Sequence, residues 1–122
     1  MPICVPLRLP GFGYDLDELA RAFAHKHKAI VVCNPYNPTG KVFMLEELFE
    51  ILHLAEKHDA FVISDEPYEY IVFALHEHVY FAALPGAFAR TITCNSLFKT
   101  YSIMGWRLGY VQAAPLVIAQ AC

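Results

Sequence analysis

The sequence predicts an α/β domain: a mostly parallel sheet flanked by helices. Three observations carry that prediction. Compact apolar runs, the composition of buried strands, recur at residues 29–33, 60–64 and 91–94. A stretch of helical periodicity separates the first two runs, and each run stops at a cluster of polar or turn-forming residues. Strand, helix, strand, connection, strand is the βαβ pattern, which implies parallel pairing with right-handed crossovers.

Taken in order, residues 3–7 predict a short strand between Pro2 and Pro10, followed by a turn at Gly11–Gly13. Asp15 or Asp17 then caps a helix carrying Leu16, Leu19, Ala20 and Phe23, which ends among His25, Lys26, His27 and Lys28. Ala29–Cys33 is the first buried strand, stopped by Asn34-Pro35-Tyr36-Asn37-Pro38-Thr39-Gly40. Leu45, Leu48, Phe49, Leu52 and Ala55 recur at helical spacing, with Glu46, Glu47, Glu50 and Lys57 on the other face. Ala60–Ser64 is the second strand. Ile71–Leu75 is apolar without a clear period, and Pro85-Gly86 marks a turn. Thr91–Cys94 is the third strand, Leu108–Ala113 a fourth, and a helix starts at Pro115.

A length of 122 residues suits one domain with one core. The composition is 57% apolar and only 17% charged, rich enough for strands buried on both faces or for a surface that lies against something else. The net charge of -3 and a pI near 6.0 argue against nucleic acid or an anionic membrane as partner. Cys4, Cys33, Cys94 and Cys122 lack CxxC spacing, which predicts free thiols and a reducing, cytoplasmic setting. The first residues lack the charged and apolar regions of a signal peptide, and the last fifteen fall short of a spanning helix. The His25/His27 and His76/His78 pairs lack a third ligand at a fitting spacing, so no metal site is expected. Gly40-Lys41 lacks the upstream glycine and the following hydroxyl of a phosphate loop.

Ligands of open parallel sheets sit beyond the carboxyl ends of the strands. Asn34 and Asn37 follow the first strand, Asp65 and Tyr68 the second, Ser96 and Lys99 the third. If the strands are neighbours, all six converge on one edge, with Arg107 eight residues beyond the lysine. Singly, each has a plain structural reading: a Pro-rich turn, a capping aspartate, a solvated lysine, a surface arginine. Together they suit a ligand with both an anionic group and a basic ring. Pyridoxal phosphate (PLP) is such a ligand. Its aldehyde takes an amine, as Lys99 offers, and its phosphate takes donors such as Arg107 and Ser96. Its pyridine nitrogen stays protonated beside a carboxylate such as Asp65, and Asn37 and Tyr68 can reach its ring oxygen.

Asn34-Pro35-Tyr36-Asn37-Pro38-Thr39-Gly40, Ser64-Asp65-Glu66-Pro67-Tyr68, Ser96-Leu97-Phe98-Lys99 and Gly105-Trp106-Arg107-Leu108-Gly109 resemble the class I/II aminotransferases. These are the fold-type I PLP-dependent enzymes of the aspartate aminotransferase family. The resemblance covers roughly residues 29–113. The resemblance implies a three-layer PLP-dependent transferase fold in which the strand after Arg107 runs antiparallel. It implies Lys99 as the residue that carries the cofactor as an aldimine and shuttles a proton. It places Asp65 on the pyridine nitrogen, Asn37 and Tyr68 on the ring oxygen, and Ser96 and Arg107 on the phosphate. An amino acid and a 2-oxo acid would be the substrates.

Residues 1–122 would then form part of the large cofactor-binding domain, without the small domain and its carboxylate-binding arginine. Arg8, Arg21 and Arg90 lie in contexts that do not match that arginine. Phe98 stands where the family has a small residue, Met104 where threonine is common, and Tyr36 is bulky for its place. Two alternatives to a transaminase follow: a non-catalytic remnant that binds PLP or only folds, and a PLP-dependent carbon–sulfur lyase. Uncovered sheet edges would favour association into a homo-oligomer.

Overall fold

Asp15 opens the first helix: its carboxylate accepts the Glu18 N–H at 2.8 Å, satisfying one of the free amides of the first turn. In the computed structural model, which describes residues 1–73 and 75–121, this helix is α1 (Leu16–Phe23), with Leu19 and Phe23 buried. It ends at Phe23, before the histidine–lysine run. The segment 3–7 is not a strand. Its one neighbouring bridge, Arg8 to Gly13, lies outside it, and a strand without a hydrogen-bonding neighbour leaves its amides to water.

β1 (Ala29–Cys33) leads into the Pro-rich turn, and α2 (Leu45–Lys57) follows. Glu47 reaches back to accept the Met44 N–H at 2.8 Å and pairs with Lys41 at 2.8 Å, so one carboxylate caps the helix and braces the turn. A Schellman motif ends α2. Asp59 takes a left-handed φ of 50°, its N–H bonds Glu56 O, and the Ala60 N–H bonds Ala55 O at 2.9 Å. The chain is thereby aimed into β2 (Phe61–Asp65).

Residues 69–80 form neither strand nor helix where described, and the described residues of the apolar 71–75 run build no element. Two 3-10 turns at Phe81–Ala83 and Phe88–Arg90 lead into β3 (Thr91–Ser96). α3 (Leu97–Tyr101), a third 3-10 turn at Met104–Trp106, β4 (Gly109–Ala113) and α4 (Pro115–Ala121) complete the order.

The four strands lie in the order β1-β2-β3-β4. β1 and β2 pair parallel, as do β2 and β3, while β4 runs antiparallel to β3. Alternation divides the sheet's side chains between two faces. Val32, Val62, Thr91 and Thr93 pack on one face into a core with Leu48, Ile51, Leu52 and Ala55 of α2 and Phe81, Leu84 and Ala87. The opposite face is partly open, with Val31 in the middle of β1 69% and Phe61 at the start of β2 40% exposed. No helix among the described residues is long and apolar enough to cross a membrane.

Candidate cofactor site

Register decides what meets at the carboxyl edge. Cys33 pairs with Asp65 and Asp65 with Cys94 across three adjacent strands, so a thiol, a carboxylate and a thiol stand in one row on one face. This row floors a cavity of about 400 Å³, within the usual range for small-ligand sites. Asn37, Tyr68, Ser96, Phe98 and Lys99 line it as well. A larger cavity of about 530 Å³ lies against residues 2–7 and β1. Its lining is mostly apolar and, Cys33 apart, shares no residue with this row.

Each side chain arrives by a local device. The turn after β1 is closed by Tyr36 N–H to Lys41 O at 2.8 Å and Gly40 N–H to Tyr36 O at 2.7 Å, with Gly40 at φ 73°. That turn carries Asn37 to Tyr68, whose hydroxyl accepts from Nδ2 at 3.0 Å. Asp65 is the last residue of β2, and its carbonyl accepts the Asn34 N–H at 3.0 Å. Ser96 closes β3 rather than following it and is buried. Its Oγ finds no hydrogen-bond partner among the described residues. Lys99 lies on the single turn of α3, with Nζ 5.2 Å from the centre of the Tyr68 ring and 5.7 Å from that of Phe98. Both rings stabilise the ammonium group by cation–π attraction.

Two expectations change. Asn34 does not join the others, because it turns into the core at 1% exposure. There its Oδ1 accepts the Phe43 N–H at 3.0 Å and its Nδ2 donates to Val79 O at 3.4 Å. Alternation puts it on the face opposite Cys33, which its place in the Pro-rich motif hides. Arg107 is exposed and stands outside the cavity lining, with its guanidinium 5.6 Å from the Phe98 ring centre. Its backbone is left-handed, φ 54°, as is that of Ser102 at φ 55°, so the loop bends sharply at both positions. Of the three bulky residues only Phe98 lines the cavity. Tyr36 packs against the core, and Met104 is 60% exposed.

Sequence reasoning missed Cys33 and Cys94, because a thiol in an apolar run reads as a small hydrophobe. The signal available was their position at the strand ends, level with Asp65. Burial pushes both thiols above their ordinary range, and the Asp65 charge adds to it. The thiols thus stay protonated. Among the described residues, no group of three or more His, Cys, Asp or Glu side chains is placed to hold a metal ion.

A cavity holding an amine, a carboxylate, an amide–phenol pair and a buried hydroxyl lacking a partner fits PLP. Ser96 Oγ has a donor to give to a phosphate oxygen, Lys99 an amine for the aldehyde, and Asp65 a charge for a protonated ring nitrogen.

The sequence model of the family "Aminotransferase class I and II" matches residues 3–121, beyond the 29–113 extent of the resemblance. Kynurenine–oxoglutarate transaminase 3 of Mus musculus is 44% identical over 120 residues, which cover 90% of this chain and 26% of that protein. An aspartate aminotransferase of Pyrococcus abyssi is 43% identical, covering 88% of this chain and 28% of its own length. The solved N-succinyldiaminopimelate aminotransferase from Mycobacterium tuberculosis superposes with a TM-score of 0.90 at 36% identity, covering 96% of this chain and 31% of that one. The chain spans about a quarter of the length of the curated relatives it matches. It belongs to the class I and II aminotransferases.

Proposed function

We propose that this chain is part of the large cofactor-binding domain of a PLP-dependent aminotransferase, one that moves an amino group between an amino acid and a 2-oxo acid. The observation that carries the reading is the grouping of Lys99 with Tyr68, Asn37, Asp65 and Ser96 around one cavity. Bound PLP would supply an electron sink for the bond broken at the substrate's α-carbon. The chain's own residues do the rest. Lys99 would hold the cofactor through its side-chain nitrogen, and its amine would carry a proton to or from that carbon. Asp65 would keep the ring nitrogen protonated. Tyr68 and Asn37, hydrogen-bonded to each other, would orient the ring oxygen, and Ser96 would donate to the phosphate. Arg107 would be a further donor to the phosphate.

A second reading, a chain that holds PLP without turning it over, is favoured by one observation. Among the described residues no arginine lines the cavity to hold a substrate carboxylate, and lost positioning can cost several kcal/mol of a barrier, on the order of a thousandfold in rate or more. Exposed apolar side chains on β4 and around it, including Tyr110, Val111 and Leu116, suit association with further copies or with other polypeptide.

Both readings are tested by adding PLP to the 122-residue chain, reducing with borohydride and mapping the labelled peptide. The label is expected on Lys99 and is lost in Lys99→Ala. Labelling that persists in the variant, or none in the parent chain, removes this site. Adding an aromatic amino acid and 2-oxoglutarate then separates the two readings. Formation of glutamate supports the transaminase, and none supports the silent binder.

A further inference from the structure

Beside Asp65 stands a residue with a different task. Alternation turns Asp65 toward the cavity and Ser64 and Glu66 toward the packed face, where both are fully buried at 0% exposure. Oε1 of Glu66 accepts from Ser64 Oγ at 2.6 Å and from the Phe81 N–H at 3.1 Å. Its other oxygen, Oε2, has no hydrogen-bond partner among the described residues, and neither has either ring nitrogen of His78. Oε2 and His78 Nε2 face each other at 3.7 Å, with the histidine side chain 5% exposed. Buried polar groups are rarely left unpartnered, because their lost hydration is costly. An approach of about half an ångström brings this pair into hydrogen-bond range. Tyr80 holds the imidazole edge-on, ring centres 4.7 Å apart, which limits its rotation.

The same short segment is clipped a second time. Asn34, at the end of β1, donates to Val79 O. The buried polar residues behind the cavity, Asn34 and Glu66, therefore both fasten residues 78–81, the far end of a connection that otherwise forms no element. Glu66 is also tied sideways, its N–H bonding Cys94 O at 2.9 Å.

We propose that Glu66 and His78 are positioning residues. A hydrogen bond between Oε2 and Nε2 fastens the carboxyl end of β2 to residues 78–81 and sets the direction from which Asp65 and Tyr68 face the cavity. The fastening stands on the geometry alone; its consequence for cofactor binding rests on the PLP reading above.

The test is amide hydrogen exchange on the 122-residue chain, with PLP titration as a second arm. His78→Phe keeps a ring against Tyr80 and removes the nitrogens. It is expected to speed exchange at the Glu66, Ile71 and Phe81 amides about tenfold or more while leaving Leu48–Leu54 of α2 unchanged. His78→Gln, which offers an N–H near the Nε2 position, restores part of the protection. The PLP dissociation constant rises at least fivefold in His78→Phe and recovers in His78→Gln. Unchanged exchange at the three amides overturns the proposal, and so does a uniform rise that includes α2, which marks a merely structural role. Local loosening with unchanged PLP affinity overturns the positioning role. If the parent chain binds no PLP, the cofactor reading fails, and the exchange pattern still decides the fastening. Should His78→Phe not fold, His78→Leu, which removes both ring nitrogens in a smaller apolar side chain, is read by the same outcomes.

Discussion

Replacing Ser96 with alanine is expected to strengthen the ligand-free fold and weaken the site together. Ser96 is buried, its hydroxyl finds no partner among the described residues, and it makes no side-chain cap to α3, whose N-cap it is. The usual cost of losing a serine cap is therefore absent. A buried hydroxyl without a partner costs about 1–3 kcal/mol, so its removal returns about 1 kcal/mol at the low end. With an unfolding entropy of about 2.1 cal/mol/K per residue, 1 kcal/mol moves the melting temperature of a domain this size up by about 4 °C. The opposite holds with ligand. A hydrogen bond to a charged acceptor contributes about 1.5–3 kcal/mol, which at 1.4 kcal/mol per decade makes PLP bind roughly ten- to a hundredfold more weakly. Thermal melts without ligand and absorbance titrations with PLP measure the two halves. Pyridoxal, which lacks the phosphate, is the control, and its affinity is expected to stay as it was. A fall in melting temperature shows that the hydroxyl does have a partner. An equal loss for pyridoxal and PLP shows that Ser96 does not meet the phosphate. Either result refutes the reasoning.

Two further outcomes concern the fold. Stability is expected to fall as pH rises from about 8 toward 10, because the Cys33 and Cys94 thiols are held above their ordinary value of 9.0 in the folded chain. The unfolded thiols lose their protons first, so the unfolded state binds fewer protons in that window and gains on the folded one as pH rises. Urea midpoints of Cys33→Ala/Cys94→Ala across that range check it, and a slope equal to the parent's refutes it. Tyr14, raised by burial and by Glu50, continues the trend at higher pH. Leu48→Ala removes a side chain at 0% exposure between α2 and the sheet and is expected to cost about 2–5 kcal/mol. A denaturation midpoint within about 1 kcal/mol of the parent's would mean that the helix does not pack as described.

The elements that were legible are those set by local chemistry. Asp15 caps a helix because a short carboxylate before an amphipathic stretch satisfies that helix's own amides. Ala29–Cys33 and Thr91–Thr93 are apolar enough to be strands wherever a sheet exists. The 3–7 run has comparable composition and fails, because nothing in a run's own residues provides the neighbour that a strand requires. The 71–75 run shows the same limit, being apolar but too short to declare a period.

The sequence by itself determined the order of the polar groups at the strand ends, and with it the meeting of Asn37, Asp65, Tyr68, Ser96 and Lys99. Three consecutive parallel strands bring their carboxyl ends to one edge whatever their exact lengths. Only the tertiary structure decided which face each neighbour turned to. One residue's difference in position sends Asn34 and Glu66 into the core and leaves Cys33 and Asp65 on the cavity floor, since side chains alternate and register is set by hydrogen bonds to distant strands. The same holds for Arg107, whose place on the Phe98 ring depends on two left-handed residues and a contact across the loop. Those are non-local choices. A motif can show that an arginine follows a lysine by eight positions, but only packing shows what the arginine touches.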